Sequence, residues 1–236
     1  MRFRDRLFAT LRAAAPVLET GGTMVVGSEV PNLLEAEAGA TLVVSQDVDI
    51  AVPVGAHALV KERLSALQGL RPSPEEPSVW VPAEPALLEV NFVGMPPPGS
   101  DLERTYLVED GALPLLVFGP LALLRPGPLV RAEGVDVPVP RLAGLVLEKL
   151  LTDRTGEKGS RDLLVVLALL MVARETDLEE ATESYLTLPD ELRHAARANL
   201  TILSLIEPHD GMPDPRPQRA RVAALLRRFE GGEESA

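Results

Sequence analysis

Cysteine is absent from this 236-residue chain, which excludes disulfides, thiolate–metal sites and a disulfide-stapled secreted scaffold. Aromatic residues are only 3% of the sequence, so Leu, Val and Ala must fill the core, and a 46% apolar content is ample for that. Long hydrophobic runs are missing: the longest, Leu163–Ala173, is about half of what a membrane span needs. Basic tracts are missing too, and a net charge of −12 argues against a broad electrostatic grip on nucleic acid. DNA is therefore not expected as a partner, although a local patch on an acidic protein leaves tRNA open. His57, His194 and His209 lie too far apart in sequence for zinc-ligand spacing. There is no Gly-x-Ser-x-Gly and no P-loop lysine, so serine-hydrolase and Walker-type readings have no support. Arg2, Arg4 and Arg6 give a basic start, but Asp5 and Arg12 interrupt it and no apolar segment of signal-peptide type follows. These absences lead us to expect a soluble, cytoplasmic protein with no membrane partner.

What is present centres on residues 23–52, TMVVGSEVPNLLEAEAGATLVVSQDVDIAV. The stretch reads as a strand, a Gly27-Ser28 turn, a short helix, a loop and a second strand. Side chains alternate across a strand, so Asp47 and Asp49 share one face while Val48, Ile50 and Val52 share the apolar other. Two carboxylates roughly 6–7 Å apart along a strand repel by about 2.5 kcal/mol at an effective dielectric near 20. A hard divalent cation removes that cost and takes oxygen ligands of this kind. Gly27 permits close approach of backbone amides to a phosphate, and a helix N-terminus favours negative charge. Ser28 has two readings, as a helix cap or as a phosphate contact. Asp47 and Asp49 also have a bland reading, as solvated carboxylates on an edge strand; but Asp is disfavoured in strands, and two together call for a reason.

The Gly-Ser turn, spacer helix and Asp-x-Asp strand resemble the pattern of the nucleotidyltransferase superfamily. The family places a third carboxylate on a later strand, and Glu89 in PALLEVNFVG is its candidate here, against an ordinary exposed strand position. The segment PVPRLAGLVLEKLLTDRTGEKGSRDLLVVLALL is similar to the Lys…Arg…Arg-Asp region of bacterial nucleotidyltransferases that include the AbiEii-type toxins. The resemblance covers roughly residues 20–175, with 94–130 unplaced. It implies an α+β fold, a nucleotidyltransferase-like mixed β-sheet flanked by helices with a C-terminal helical region. It implies that Asp47, Asp49 and Glu89 are catalytic and hold Mg²⁺ or Mn²⁺, and that Gly27, Ser28, Lys149, Arg154, Lys158, Arg161 and Asp162 bind an NTP such as ATP. Lys149 and Arg154 have a second reading as ordinary surface residues. Asp162 has two more, as a helix-dipole residue or as an ion-pair partner that orients Lys149 or Arg154. The acceptor is left open among a tRNA end, a protein hydroxyl and a small molecule. A toxin setting brings an antitoxin protein as a further partner. A catalytically silent nucleotide-binding module of the same fold is the alternative. The chain departs from the family in lacking an arginine in TLVVSQ just before Asp47, and in a long interval from Ser28 to Asp47.

Elsewhere, Phe3, Leu7, Leu11, Ala14 and Leu18 mark an amphipathic helix over 2–18. Strands are expected near 78–81, 87–93, 105–108, 115–118 and 129–137, the first two as a hairpin across Pro82–Pro85. The run GLRPSPEEP reads as a breaker. From Leu142 the pattern is helical, over 142–152, 160–174, 177–185, 189–206 and 217–229. That change sets the expected boundary between a catalytic domain, 1–140, and a helical domain, 141–236. The tail GGEESA reads as disordered.

Overall fold

The structure, a computed structural model, describes residues 2–35, 43–151, 157–207 and 214–234, and the side chains of all of these except 157–161, 233 and 234. The chain divides into two units, Met1–Pro140 and Arg141–Ala236.

In the first unit, α1 (Phe3–Leu18) precedes β1 (Met24–Val26), α2 (Glu29–Leu34), β2 (Asp47–Pro53) and α3 (His57–Arg63). Then come β3 (Leu70–Pro72), β4 (Val79–Pro82), β5 (Glu89–Met95), β6 (Thr105–Val108), β7 (Leu115–Phe118), β8 (Pro126–Ala132) and β9 (Val135–Pro140). Seven strands form one mixed sheet along the path β1-β2-β5-β4-β3, with β7 paired to β5 and β6 to β7. The β2–β5 and β5–β7 pairs are parallel; the other pairs are antiparallel. Period-2 patterning sends Val48, Ile50 and Val52 of β2, with Val90 and Phe92 of β5, into the core at 2% exposure or less. The fold is α+β, as the sequence implies.

The apolar stripe of α1 is buried at Leu7, Leu11, Ala14 and Val17. This helix also fixes where β5 begins. Thr10 Oγ1 accepts from the Leu88 amide at 2.7 Å, and Arg6 donates to the Leu87 carbonyl at 2.7 Å. These bonds satisfy backbone groups immediately before Glu89, so α1 sets the height of β5 beside β2.

Three local expectations need correction. The run GLRPSPEEP is not only a breaker, because it contributes β3, pairing Leu70 with Pro82 and Pro72 with Trp80. Proline is tolerated there because the strand is short and lies at the sheet edge. The expected strand 129–137 is a two-stranded hairpin, β8–β9, separate from the main sheet. Its turn is Glu133-Gly134, both at positive φ (43° and 93°), as tight hairpins demand. Ser28 does not cap α2: it has helical φ and ψ, and its hydroxyl bonds the Glu29 side chain instead of a helix amide.

The second unit holds α4 (Leu142–Leu151), α5 (Glu157–Val172), α6 (Glu175–Leu186), α7 (Asp190–Leu205) and α8 (Arg219–Glu234). The apolar run of α5 is interior, with Val165 to Leu170 at 3% exposure or less. Tyr185 of α6 and Phe229 of α8 stack at 3.9 Å between ring centroids. Asn199 donates to the Leu150 carbonyl at 2.7 Å, satisfying an acceptor in the last turn of α4. Of the tail GGEESA expected to be disordered, residues 231–234 are helical, and 235–236 lie outside the described residues. Among the described residues no helix is long and apolar enough to cross a membrane.

Candidate active site

The parallel pairing of β2 with β5 opposes Asp47 to Glu89 and Asp49 to Asn91. All four residues alternate with buried apolar neighbours, so they share the sheet face away from Val48, Ile50 and Val90. Asp47 is held on both oxygens. Oδ1 accepts from Ser45 Oγ, itself 4% exposed, and Oδ2 accepts from Asn91 Nδ2 at 2.9 Å. The same Asn91 amide donates to Asp49 Oδ1 at 3.3 Å, bridging the two aspartates. Burial raises the Glu89 carboxyl above its ordinary value, helped by the negative charge of Asp47 and then of Glu76.

On the other side of β2 in the sheet, β1 leads into Gly27 at φ +85°. A methyl carbon there would lie 2.8 Å from Asp49 Oδ2 and 3.4 Å from Glu29 Oε2. Glycine is therefore required twice, by backbone conformation and by the close approach of a carboxylate. Glu29 is 1% exposed. Its Oε1 accepts from Ser28 Oγ at 2.7 Å, and its Oε2 is buried without a hydrogen-bond partner. Burial, then the charge of Asp49, pushes the Glu29 carboxyl up to about 8; the Ser28 hydrogen bond opposes the rise and Asp47 adds to it.

The structure thus brings Gly27, Ser28, Asp47, Asp49 and Glu89 into one neighbourhood. In the second unit, Lys149 and Asp162 also meet. Lys149 Nζ lies 3.3 Å from Asp162 Oδ1 and 3.3 Å from Glu148 Oε2, and all three side chains are less than a tenth exposed. The surface reading of Lys149 is therefore corrected: its ammonium is buried between carboxylates, which suits the ion-pair reading of Asp162. Arg154 lies outside the described residues; Lys158 and Arg161 fall on α5, with side chains outside them.

Three residues of the neighbourhood carried no signal that the sequence reading used as a site. Glu29 looks like an acidic residue in the first turn of a helix, a common solvated placement. Asn91 shares a face with Glu89, but its role as a bridging donor depends on a register that sequence does not fix. Ser45 lies two residues ahead of Asp47, where a hydroxyl reaching forward is a local turn habit of serine.

The donor set suits a hard divalent cation: carboxylate oxygens beside a backbone cradle that a Cβ would fill, with one buried oxygen left orphaned. Among the described residues no three His, Asp or Glu side chains form a ready-made cage. Mg²⁺ is commonly held by one or two carboxylates and completed by water and substrate phosphates.

No protein-family model matches the sequence, and no curated protein matches it. Among solved structures, the chain is similar to an antigenic nucleotidyltransferase-like protein from Paracoccidioides brasiliensis, with a TM-score of 0.50 and 14% identity over 94% of this chain and 93% of that one. The solution structure of the antibiotic-resistance factor ANT(2'')-Ia aligns with a TM-score of 0.41 and 9% identity over 94% of this chain and 98% of that one. The first likeness establishes a nucleotidyltransferase-like fold. The resemblance to AbiEii-type toxins rests on the sequence segments alone.

Proposed function

We propose that this chain is a metal-dependent nucleotidyltransferase that moves NMP from an NTP to an acceptor hydroxyl on RNA, protein or a small molecule. The observation that carries this reading is the parallel register of β2 and β5, which sets Asp47, Asp49 and Glu89 on one face beside the Gly27 turn. A nucleotidyltransferase-like fold supports it. Fold alone does not assign chemistry, so the weight lies on the side chains.

Asp47 and Asp49 would hold Mg²⁺ or Mn²⁺, which when bound neutralises triphosphate charge and polarises the α-phosphate. Ser45 and Asn91 keep the two carboxylates aimed from a fixed strand. The Gly27-Ser28 turn offers backbone amides to the β- and γ-phosphates. Glu89, its carboxyl raised by burial and by Asp47, accepts the proton of the acceptor hydroxyl as that oxygen attacks the α-phosphorus. The α–β bridging bond breaks and pyrophosphate leaves. The basic residues Lys149, Arg154, Lys158 and Arg161 and the acidic Asp162 belong to this reading through the sequence resemblance, as does a toxin setting with an antitoxin partner.

The test is a thermal-shift panel of ATP, CTP, GTP and UTP with Mg²⁺ or EDTA, on the wild type and on Asp47→Asn/Asp49→Asn. A nucleotide at about 100 times its dissociation constant adds about 2.7 kcal/mol, which moves the midpoint of a chain this size by roughly 5–10 °C. A metal-dependent shift that the double variant loses, followed by transfer of labelled NMP, supports the enzyme. Transfer that survives the double variant overturns it. A second reading, a nucleotide-binding module without transfer, draws on Asn91: an amide, not a carboxylate, stands opposite Asp49. It expects the shift and no transfer with any acceptor.

A further inference from the structure

We infer that Glu29 is a ligand of the divalent cation, joining Asp49 on the side of the site away from Glu89. This rests on the reading of Asp47 and Asp49 as cation ligands, and deepens it by naming an oxygen that the Asp-x-Asp pattern does not supply.

Three observations converge. Glu29 is 1% exposed, in a six-residue helix whose neighbours Val30, Pro31, Asn32 and Leu33 are also buried. Glutamate is almost never buried to that degree without a partner. One of its oxygens, Oε2, has no hydrogen-bond partner, and an unanswered buried acceptor is costly enough that it calls for an explanation. That oxygen also faces a point shared with Asp49. A single methyl carbon on Gly27 would touch both Glu29 Oε2 and Asp49 Oδ2, at 3.4 and 2.8 Å. Two carboxylate oxygens directed at one glycine-lined space form a place for a cation.

The rest of Glu29 is arranged to keep Oε2 there. Its other oxygen is held by Ser28 Oγ at 2.7 Å, and that bond fixes the carboxylate plane. Gly27 contributes only an α-carbon, so it places no side chain of its own between the two acids. Asp47 has a hydrogen bond on each oxygen, to Ser45 and Asn91, and Asp49 Oδ2 is the aspartate oxygen beside Gly27. The site is thus asymmetric: Asn91 and Ser45 position Asp47, and Glu29 completes the oxygen set around Asp49.

The test is Mn²⁺ binding to the full chain, followed by electron paramagnetic resonance, for the wild type, Glu29→Gln, Glu89→Gln and Asp47→Asn/Asp49→Asn, with melting of each in EDTA. Loss of a ligand weakens metal binding by about tenfold or more, the lower bound set by supporting residues around metal sites. Glu29→Gln is expected to weaken Mn²⁺ by that factor, and to melt in EDTA at the wild-type temperature or above, because the variant removes a buried carboxylate with an unanswered oxygen. Wild-type Mn²⁺ affinity in Glu29→Gln, alongside abolished binding in the aspartate double variant, overturns the role of Glu29 and leaves the proposed function standing. A lower melting temperature of Glu29→Gln in EDTA overturns it as well, since Glu29 would then be structural. If the wild type binds no Mn²⁺, or the double variant binds it unchanged, the cation reading of the aspartates falls and this inference falls with it.

Discussion

Two buried clusters of charge, one in each unit, follow opposite electrostatic plans. In the helical unit, Glu148 and Asp162 are answered by the ammonium of Lys149 at 3.3 Å from each. In the sheet unit, the hydrogen-bond donors that reach Asp47 and Glu29 are neutral: the hydroxyls of Ser45 and Ser28 and the amide of Asn91. Hydroxyls and amides orient a carboxylate without cancelling its charge. The first cluster carries its own cation in Lys149; under the proposed function the second would take one from solution. Buried charge by itself therefore does not identify a site. What distinguishes the sheet cluster is that Asp49 Oδ2 and Glu29 Oε2 both lie beside Gly27, while neutral donors hold Asp47 and Glu29 in place.

The largest expected effect that sharpens this contrast is on pH dependence. Glu29 is pushed up to about 8 by burial, then by Asp49, against 4.5 unperturbed. Between those values the folded chain binds more protons than the unfolded one, so stability is fully present below pH 4.5 and is lost as pH rises toward 8. The loss approaches about 5 kcal/mol if the whole shift is expressed. Urea midpoints in EDTA at several pH values should fall across this window for the wild type and stay flat for Glu29→Gln. A flat wild-type profile would break the account of Glu29 as a buried acid facing Asp49 and Asp47.

Next in size is Lys149→Met. Removing one partner of a buried ion pair leaves uncompensated charge and costs about 3–5 kcal/mol. Denaturant unfolding of the single variant should show that loss, and Lys149→Met/Asp162→Leu should recover part of it. A Lys149→Met chain of full stability that lost its nucleotide-dependent shift would instead turn Lys149 from a structural cation into a site residue. Gly27→Ala comes third. The residue sits at φ +85°, and its new methyl would press on Asp49 Oδ2 at 2.8 Å. Backbone strain of this kind costs about 1–3 kcal/mol. The variant should melt lower and bind Mn²⁺ more weakly, since the methyl occupies the space between Asp49 and Glu29.

The parts of the fold legible in the sequence are those where one local pattern decides. Alternation in DVDIAV placed Asp47 and Asp49 on one face and the β-branched residues in the core, and the helical periodicity of 2–18 marked α1. The parts that were not legible depend on partners distant in sequence. β3 is three residues ending in a proline, and its pairing with β4 is what makes it a strand. The β8–β9 hairpin read as one strand because Glu133-Gly134 lacks the usual Asn or Asp ahead of the glycine. Glu29 was invisible for a related reason. A glutamate at the start of a helix is ordinary, and only the approach of β2 along Gly27 makes it a buried acid beside Asp49.

The smallest effect separates the two glutamates that flank the aspartates. Glu89 faces Asp47 across the strand pair, and its carboxyl is raised by burial, by Asp47 and by Glu76, in the same direction as Glu29. It is far less buried, so solvent screens most of that interaction, and Glu89→Gln should change stability by no more than a few tenths of a kcal/mol. Its pH profile in EDTA should keep nearly all of the wild-type slope. Under the proposed mechanism, the same variant loses transfer while retaining the nucleotide-dependent thermal shift, because Glu89 acts on the acceptor proton. Glu29→Gln has the reverse signature, a large change in the pH profile together with weakened Mn²⁺. If both variants gave the same pair of readouts, the two acids would be doing one job, and the asymmetry between the Asp47 side and the Asp49 side of the site would not hold.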